Sequence, residues 1–294
     1  MTTGLQRSKI TTLKKEFELL KFGKESLLAL LEESELPELV YNSNAIENST
    51  LTLRETEKIL LELETSRDVS VRELFEAKNL ARVIEYIRNN PELPLTTETI
   101  LLLHRMLMTG INDGIAGRFR SKGEYVRVGT HVAPAPEYVE ILITNLLADY
   151  ASSDEDYFLD RISKFHLEFE RIHPFNDGNG RIGRVLIHLQ LAKLGYPPLI
   201  IRSKGKQDNY YPAFAGFLDN KATKTLDNLL TLNLVESLNK RLAYLRGEQV
   251  VSLSDFAKTT DQSTNTLQNA ARRQTIPAFR EKGVWKIGNN TNSS

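Results

Sequence analysis

A mainly α-helical protein is predicted for this chain of 294 residues, with a small β-hairpin in its middle and a second, smaller unit at its C-terminal end. Three observations predict it. Apolar residues recur at three- and four-residue intervals through most of the chain, the spacing of one helix face. Alternation with a period of two is confined to the segment around 124–134 and to short stretches near the end. Gly and Pro fall where helices of ordinary length should stop. The 40% apolar content is enough for a sizeable core.

Composition excludes several classes. Lys+Arg and Asp+Glu both number 38, so net charge implies no polyanionic partner. There is no cysteine, which rules out disulfides, thiolate metal sites and a Cys nucleophile. No signal-peptide apolar region and no run long enough to cross a bilayer is present, so a soluble cytoplasmic protein with no membrane contact is expected.

Residues 5–32 read as one amphipathic helix carrying Leu13, Phe17 and Leu20 on its apolar side. Residues 36–48 read as a second, with Pro37 in its first turn. Thr52 and Glu55 have the spacing of a capping box opening a helix toward Leu63. Helices follow over 71–88, 96–108 and 138–150. His104 lies on or beside an apolar face and reads as a structural histidine. Glu124 to Val128 alternates as a strand, Gly129-Thr130 is turn material, and 131–134 is the return strand. Residues 157–172 form a helix ended by Pro174, since proline disfavours helical backbone in the residue before it. A further helix begins near Ile182 and stops at Leu194-Gly195-Tyr196-Pro197. A long helical pattern over 219–245 closes the main unit.

The chemistry is concentrated in His173-Pro174-Phe175-Asn176-Asp177-Gly178-Asn179-Gly180-Arg181-Ile182-Gly183-Arg184. Helix, glycine loop, helix is an anion site, because the loop frees the first N–H groups of the second helix and the helix dipole favours negative charge there. Arg181 and Arg184, three apart, share a face and can grip phosphates. Asp177 is a hard oxygen ligand suited to Mg²⁺ bridging phosphates. His173 at the loop mouth is suited to taking a proton. Together they suit nucleotidyl or phosphoryl transfer to a hydroxyl.

This stretch resembles the signature of the Fic family, His-Pro-Phe-x-Asp/Glu-Gly-Asn-Gly-Arg-x-x-Arg, with every fixed position filled. The resemblance extends over roughly 36–235. It implies a helical core that transfers AMP from ATP, with Mg²⁺, to a Ser, Thr or Tyr hydroxyl of a protein, self-modification included. His173 would be the base and Asp177 the metal ligand. Phe175, Gly178, Asn179, Gly180, Arg181 and Arg184 would surround the phosphates, and Tyr210 and Tyr211 are candidates to hold the base of the nucleotide. Ser43-x-x-x-Glu47-Asn48 resembles the family's inhibitory motif, in which the glutamate pairs with the second signature arginine, here Arg184. The hairpin would be the flap over the site, with His131 a further site candidate. A homodimer is expected by the same analogy. AMP removal at the same site, and other nucleotide donors, stay open.

Residues 247–288 form the second unit. A short helix from Val251, a second over 264–273 and two strands over 275–280 and 284–287 resemble a winged helix-turn-helix of the excisionase type. Over 249–294, six basic residues (Lys258, Arg272, Arg273, Arg280, Lys282, Lys286) face three acidic ones (Asp255, Asp261, Glu281). DNA binding, with the Fic site as a sensor, and protein docking are both open to it. The expected divisions are 1–35, an N-terminal helical segment; 36–246, the Fic domain with its inhibitory helix at about 36–48; 247–288; and a disordered tail, 289–294.

Overall fold

A computed structural model describes residues 1–62 and 69–289. The expectations for Leu63 and for most of the tail therefore lie outside the described residues. The fold is helical with two small antiparallel sheets.

The N-terminal region departs from the single helix expected over 5–32. Helix α1 (Gly4–Leu20) stops before Gly23, whose φ of 72° is the left-handed conformation that glycine adopts without a Cβ clash. Helix α2 (Glu25–Ile46) then runs unbroken through Pro37. Pro37 is thus inside the helix rather than in its first turn. A proline forfeits one backbone hydrogen bond there, and burial of Leu31, Leu36, Leu39 and Val40 opposes that loss. The division expected at 35/36 falls within this helix.

Thr52 caps α3 (Leu53–Glu57) by the reciprocal capping box that the sequence predicts. Helices α4 (Val71–Asn89), α5 (Thr97–Met108), α6 (Val139–Ser152), α7 (Phe158–Ile172) and α8 (Asn179–Lys193) follow near the expected positions. Leu80, Leu103, Phe165, Phe169, Phe175 and Leu186 belong to one buried cluster among them. A second cluster joins α1, α7 and α8 to α9 (Tyr211–Asn220) and α10 (Lys224–Leu245). The expected 219–245 helix is split, because Lys221 turns left-handed at φ 59° and ends α9.

The flap strands β1 (Arg127–Val128) and β2 (His131–Val132) are two residues each, shorter than the alternation predicts. Glu124 is drawn instead into a two-bond pair with Arg118. In the C-terminal unit, β3 (Gln249–Ser252) precedes α11 (Leu253–Thr260) and α12 (Thr264–Arg272), and β4 (Ala278–Glu281) and β5 (Val284–Asn289) complete a sheet in the order β3-β5-β4. The sequence reading missed β3 and began the helix two residues early. Ser252 both ends the strand and caps α11 through Asp255 N. The unit has its own small core, including Leu253, Leu267 and Ile287. It is fixed to the rest by Arg280 on Glu236 and by Lys282 N–H donating to Glu38.

Candidate active site

The loop between α7 and α8 is closed by its own side chains. His173 ends α7 in the left-handed region at φ 51°, and Gly178 (φ 82°) opens α8. The Asn179 amide clasps the loop between them, accepting from Phe175 N–H and donating to Phe175 O, each at 2.8 Å. Phe175 is fully buried and stacks on His104 with ring centroids 3.6 Å apart. Its side chain therefore belongs to the core, a correction to its place among the phosphate-binding candidates. An aromatic ring gains more against this apolar wall than in an open anion site.

His104 is structural, as expected. Gly117 N–H donates to its Nδ1, so the proton is on Nε2, which bonds Asp177 O at 3.0 Å. Arg120, which the sequence reading passed over, is buried and donates to four carbonyls, those of Glu124, Pro134, Ile172 and His173. It fastens the flap to the loop. The only sequence signal for it was its position in the approach to the hairpin. His131 holds the other flap strand by its bond to Arg171 O.

His173 keeps 19% of its side chain exposed at the mouth. Its Nδ1 lies 3.3 Å from Glu170 O. A carbonyl can only accept, so Nδ1 carries the hydrogen and Nε2 is left with a lone pair. Burial pushes the imidazole down to about 4, which keeps it neutral at pH 7 and able to take a proton. The neighbouring Glu170 is pushed up to about 8 by burial, and next by the charge of Glu47.

The two arginines of the loop diverge. Arg181 turns to α4, pairing with Glu76 at 3.1 Å and with Asp177 at 3.0 Å. Asp177 also meets Arg72, and its carboxylate is held below the usual range against burial by Arg181 and Arg72. It is 35% exposed at the loop mouth. A partly exposed carboxylate beside an anion cradle fits Mg²⁺, which takes one or two carboxylates and completes its shell with phosphates and water.

Arg184 turns to α2. Its Nε donates to Ser43 Oγ (3.0 Å), and its Nη2 to Ser43 O and to Glu47 Oε1 (both 2.8 Å). Tyr210 stands behind it, its hydroxyl 3.4 Å from Arg184 Nη1 and 2.9 Å from His166 Nε2. Tyr210 is therefore buried as a support of Arg184. Tyr211 is half-buried and donates to Ile46 O at the end of α2. A methyl group placed on Gly180 would come within 2.1 Å of Glu47 Oε1. The Glu47 carboxylate thus lies against the first turn of α8, where an anion would sit. Lys206, also passed over, donates to Ala45 O, Ile46 O and Asn48 Oδ1 and so completes the C-terminal end of α2.

This helix–loop–helix, with a histidine at its mouth and a glycine-lined anion cradle, defines a Fic-type core. The comparisons agree. Residues 94–191 match the model of the Fic/DOC family, so the chain carries a Fic domain. A protein adenylyltransferase Fic of Nematostella vectensis is 34% identical over 177 residues, which is 58% of this chain and 41% of that protein. One of Drosophila willistoni is 31% identical over 237 residues, 73% of this chain and 46% of that protein. The chain spans less than half the length of either. A Fic domain containing signaling protein from Bacteroides thetaiotaomicron superimposes with a TM-score of 0.73 at 28% identity, over 82% of this chain and 98% of that one.

Proposed function

We propose that the chain is a protein adenylyltransferase whose resting state is held off by Glu47. The observation that carries this is the Glu47 carboxylate on Arg184 and against Gly180. A carboxylate in that position excludes a nucleotide phosphate by charge and by volume.

With Glu47 displaced, the α8 N-terminus and the Arg184 fork would receive the phosphates of ATP. A Ser, Thr or Tyr hydroxyl oxygen attacks the α-phosphorus, and its proton goes to His173 Nε2. The bond to the β-phosphate breaks and pyrophosphate leaves. The N–H groups of the cradle stabilise the charge developing on the α-phosphate oxygens. Mg²⁺ on Asp177 would supply further charge neutralisation. The half-free flap edge suits an extended stretch of the protein acceptor, added as a strand.

For the C-terminal unit, docking is favoured over DNA binding. Four of its six cations are already paired: Lys258 with Asp255, Arg280 with Glu236, Lys282 with Glu57 and Lys286 with Glu281. That leaves few for phosphates of a duplex.

Intact-mass measurement after incubation with MgATP tests the main reading. Glu47→Gly should gain the mass of AMP, on itself or on an added acceptor, and the wild type far less. Equal labelling of the two would remove Glu47 from the inhibitory role.

A further inference from the structure

A cavity of about 620 Å³ lies between the core and the C-terminal unit. Its walls come from the 201–210 loop, the first turns of α10, and Arg272, Gln274, Arg280 and Trp285 of the C-terminal unit. Pockets of this size take small molecules and recur where two units meet.

The lining is strongly biased in charge. Arg202, Lys204, Lys224, Arg272 and Arg280 face it, against the single carboxylate of Glu236. Arg202 and Arg280 form its seat. Glu236 binds both, at 2.7 and 2.6 Å, and Glu38 binds Arg202 as well, so the two guanidinium groups are fixed before any ligand arrives. Trp285 lies on the Arg280 guanidinium, 4.5 Å from its ring centroid. Lys204, Lys224 and Arg272 come from three separate segments, are exposed, and have no ion pair among the described residues. A group of cations from separate segments beside an aromatic wall, Trp285, selects an anion carrying an apolar body.

We propose that this cleft binds a small phosphorylated molecule, its phosphate held by Lys204, Lys224 and Arg272 and its body seated against Arg202, Arg280 and Trp285. The loop that floors the cleft also grips the inhibitory helix: Ser203 N–H donates to Asn42 Oδ1, and Lys206 donates to the last carbonyls of α2. Occupancy is thereby placed to act on Glu47. The binding itself does not depend on the proposed catalytic activity.

The test is calorimetric titration of the full chain with inorganic pyrophosphate in metal-free buffer. It compares the wild type, Lys224→Glu/Arg272→Glu, and a control of equal charge change, Lys15→Glu/Arg82→Glu. All four positions are exposed, and circular dichroism checks that each variant folds. The wild type should bind with a dissociation constant below about 1 mM. The cleft variant should bind at least about tenfold more weakly, and the control within about twofold of the wild type. No binding by the wild type, equal weakening in both variants, or an unaffected cleft variant would each overturn the proposal. So would tight binding of a 20-base-pair duplex that the cleft variant alone loses while pyrophosphate does not bind, which would assign these cations to nucleic acid.

Discussion

Glu47 Oε1 accepts from Arg184 Nη2 at 2.8 Å, across 137 residues of sequence. The arginine is buried and the glutamate is 42% exposed. One side of the contact is therefore fixed and the other can leave. Arg184 would keep its bonds to Ser43 and Tyr210 if Glu47 swung away. A contact built in this way can be opened without unfolding the site.

Lys206→Ala tests how firmly Glu47 is held. The variant loses the three bonds that complete the end of α2. AMP transfer should rise above the wild type, by several fold, without reaching Glu47→Gly. Radiolabel transfer from ATP at fixed time reads this, and a rate equal to the wild type would mean that the end of α2 is held by other contacts.

Arg120→Lys should destabilise the protein by about 2 kcal/mol in urea unfolding. A lysine has three donors on one nitrogen and cannot span four carbonyls, so buried acceptors lose their partners. Proteolysis within 121–134 should quicken at the same time, because the flap loses its link to the loop.

Arg241 and Glu35 form a buried pair, 2.6 Å apart and 1% and 7% exposed, joining α10 to α2. Arg241→Ala leaves Glu35 with Lys240 alone. Breaking one side of such a pair costs about 3–5 kcal/mol. A loss under about 1 kcal/mol in urea would mean that water or Lys240 replaces it.

The pH dependence of stability combines two opposing effects. Burial lowers His104, His173 and His188 to about 4 and His166 to about 3, all below the ordinary histidine value. Between roughly pH 4 and 6.5 the unfolded chain binds more protons at these groups, so they make stability rise with pH. Glu170, raised to about 8, binds more protons when folded between about pH 4.5 and 8, so it makes stability fall with pH there. At pH 6.5 the four histidines of the unfolded chain are still half-protonated and outweigh Glu170, which prevails once they have lost those protons. Stability should peak near pH 7 and decline gently, by less than about 1 kcal/mol per unit, toward pH 8. Glu170→Gln should flatten that decline. Urea midpoints between pH 5 and 8.5 check both limbs.

The anion loop was legible because every part of it is local. Pro174 ends α7, Gly178 supplies the positive φ, and Asn179 bonds within four residues. The capping box at Thr52 was legible for the same reason. Helix ends at Gly23 and Lys221 were misread because neither breaks an apolar period strongly. Strand β3 was missed because its partner, β5, lies more than 30 residues away in sequence.

The sequence by itself determined the helical class, the order of most elements and the residue types of the loop, since these depend on spacing and on local backbone preference. Only the tertiary structure decided where the long side chains of that loop reach. Arg181 and Arg184 share one helical turn, yet Glu76 on α4 takes the first and Glu47 on α2 takes the second. Helical spacing sets the direction in which a side chain leaves the backbone. Its partner is set by which helix packs against that face, and packing depends on contacts far apart in the chain.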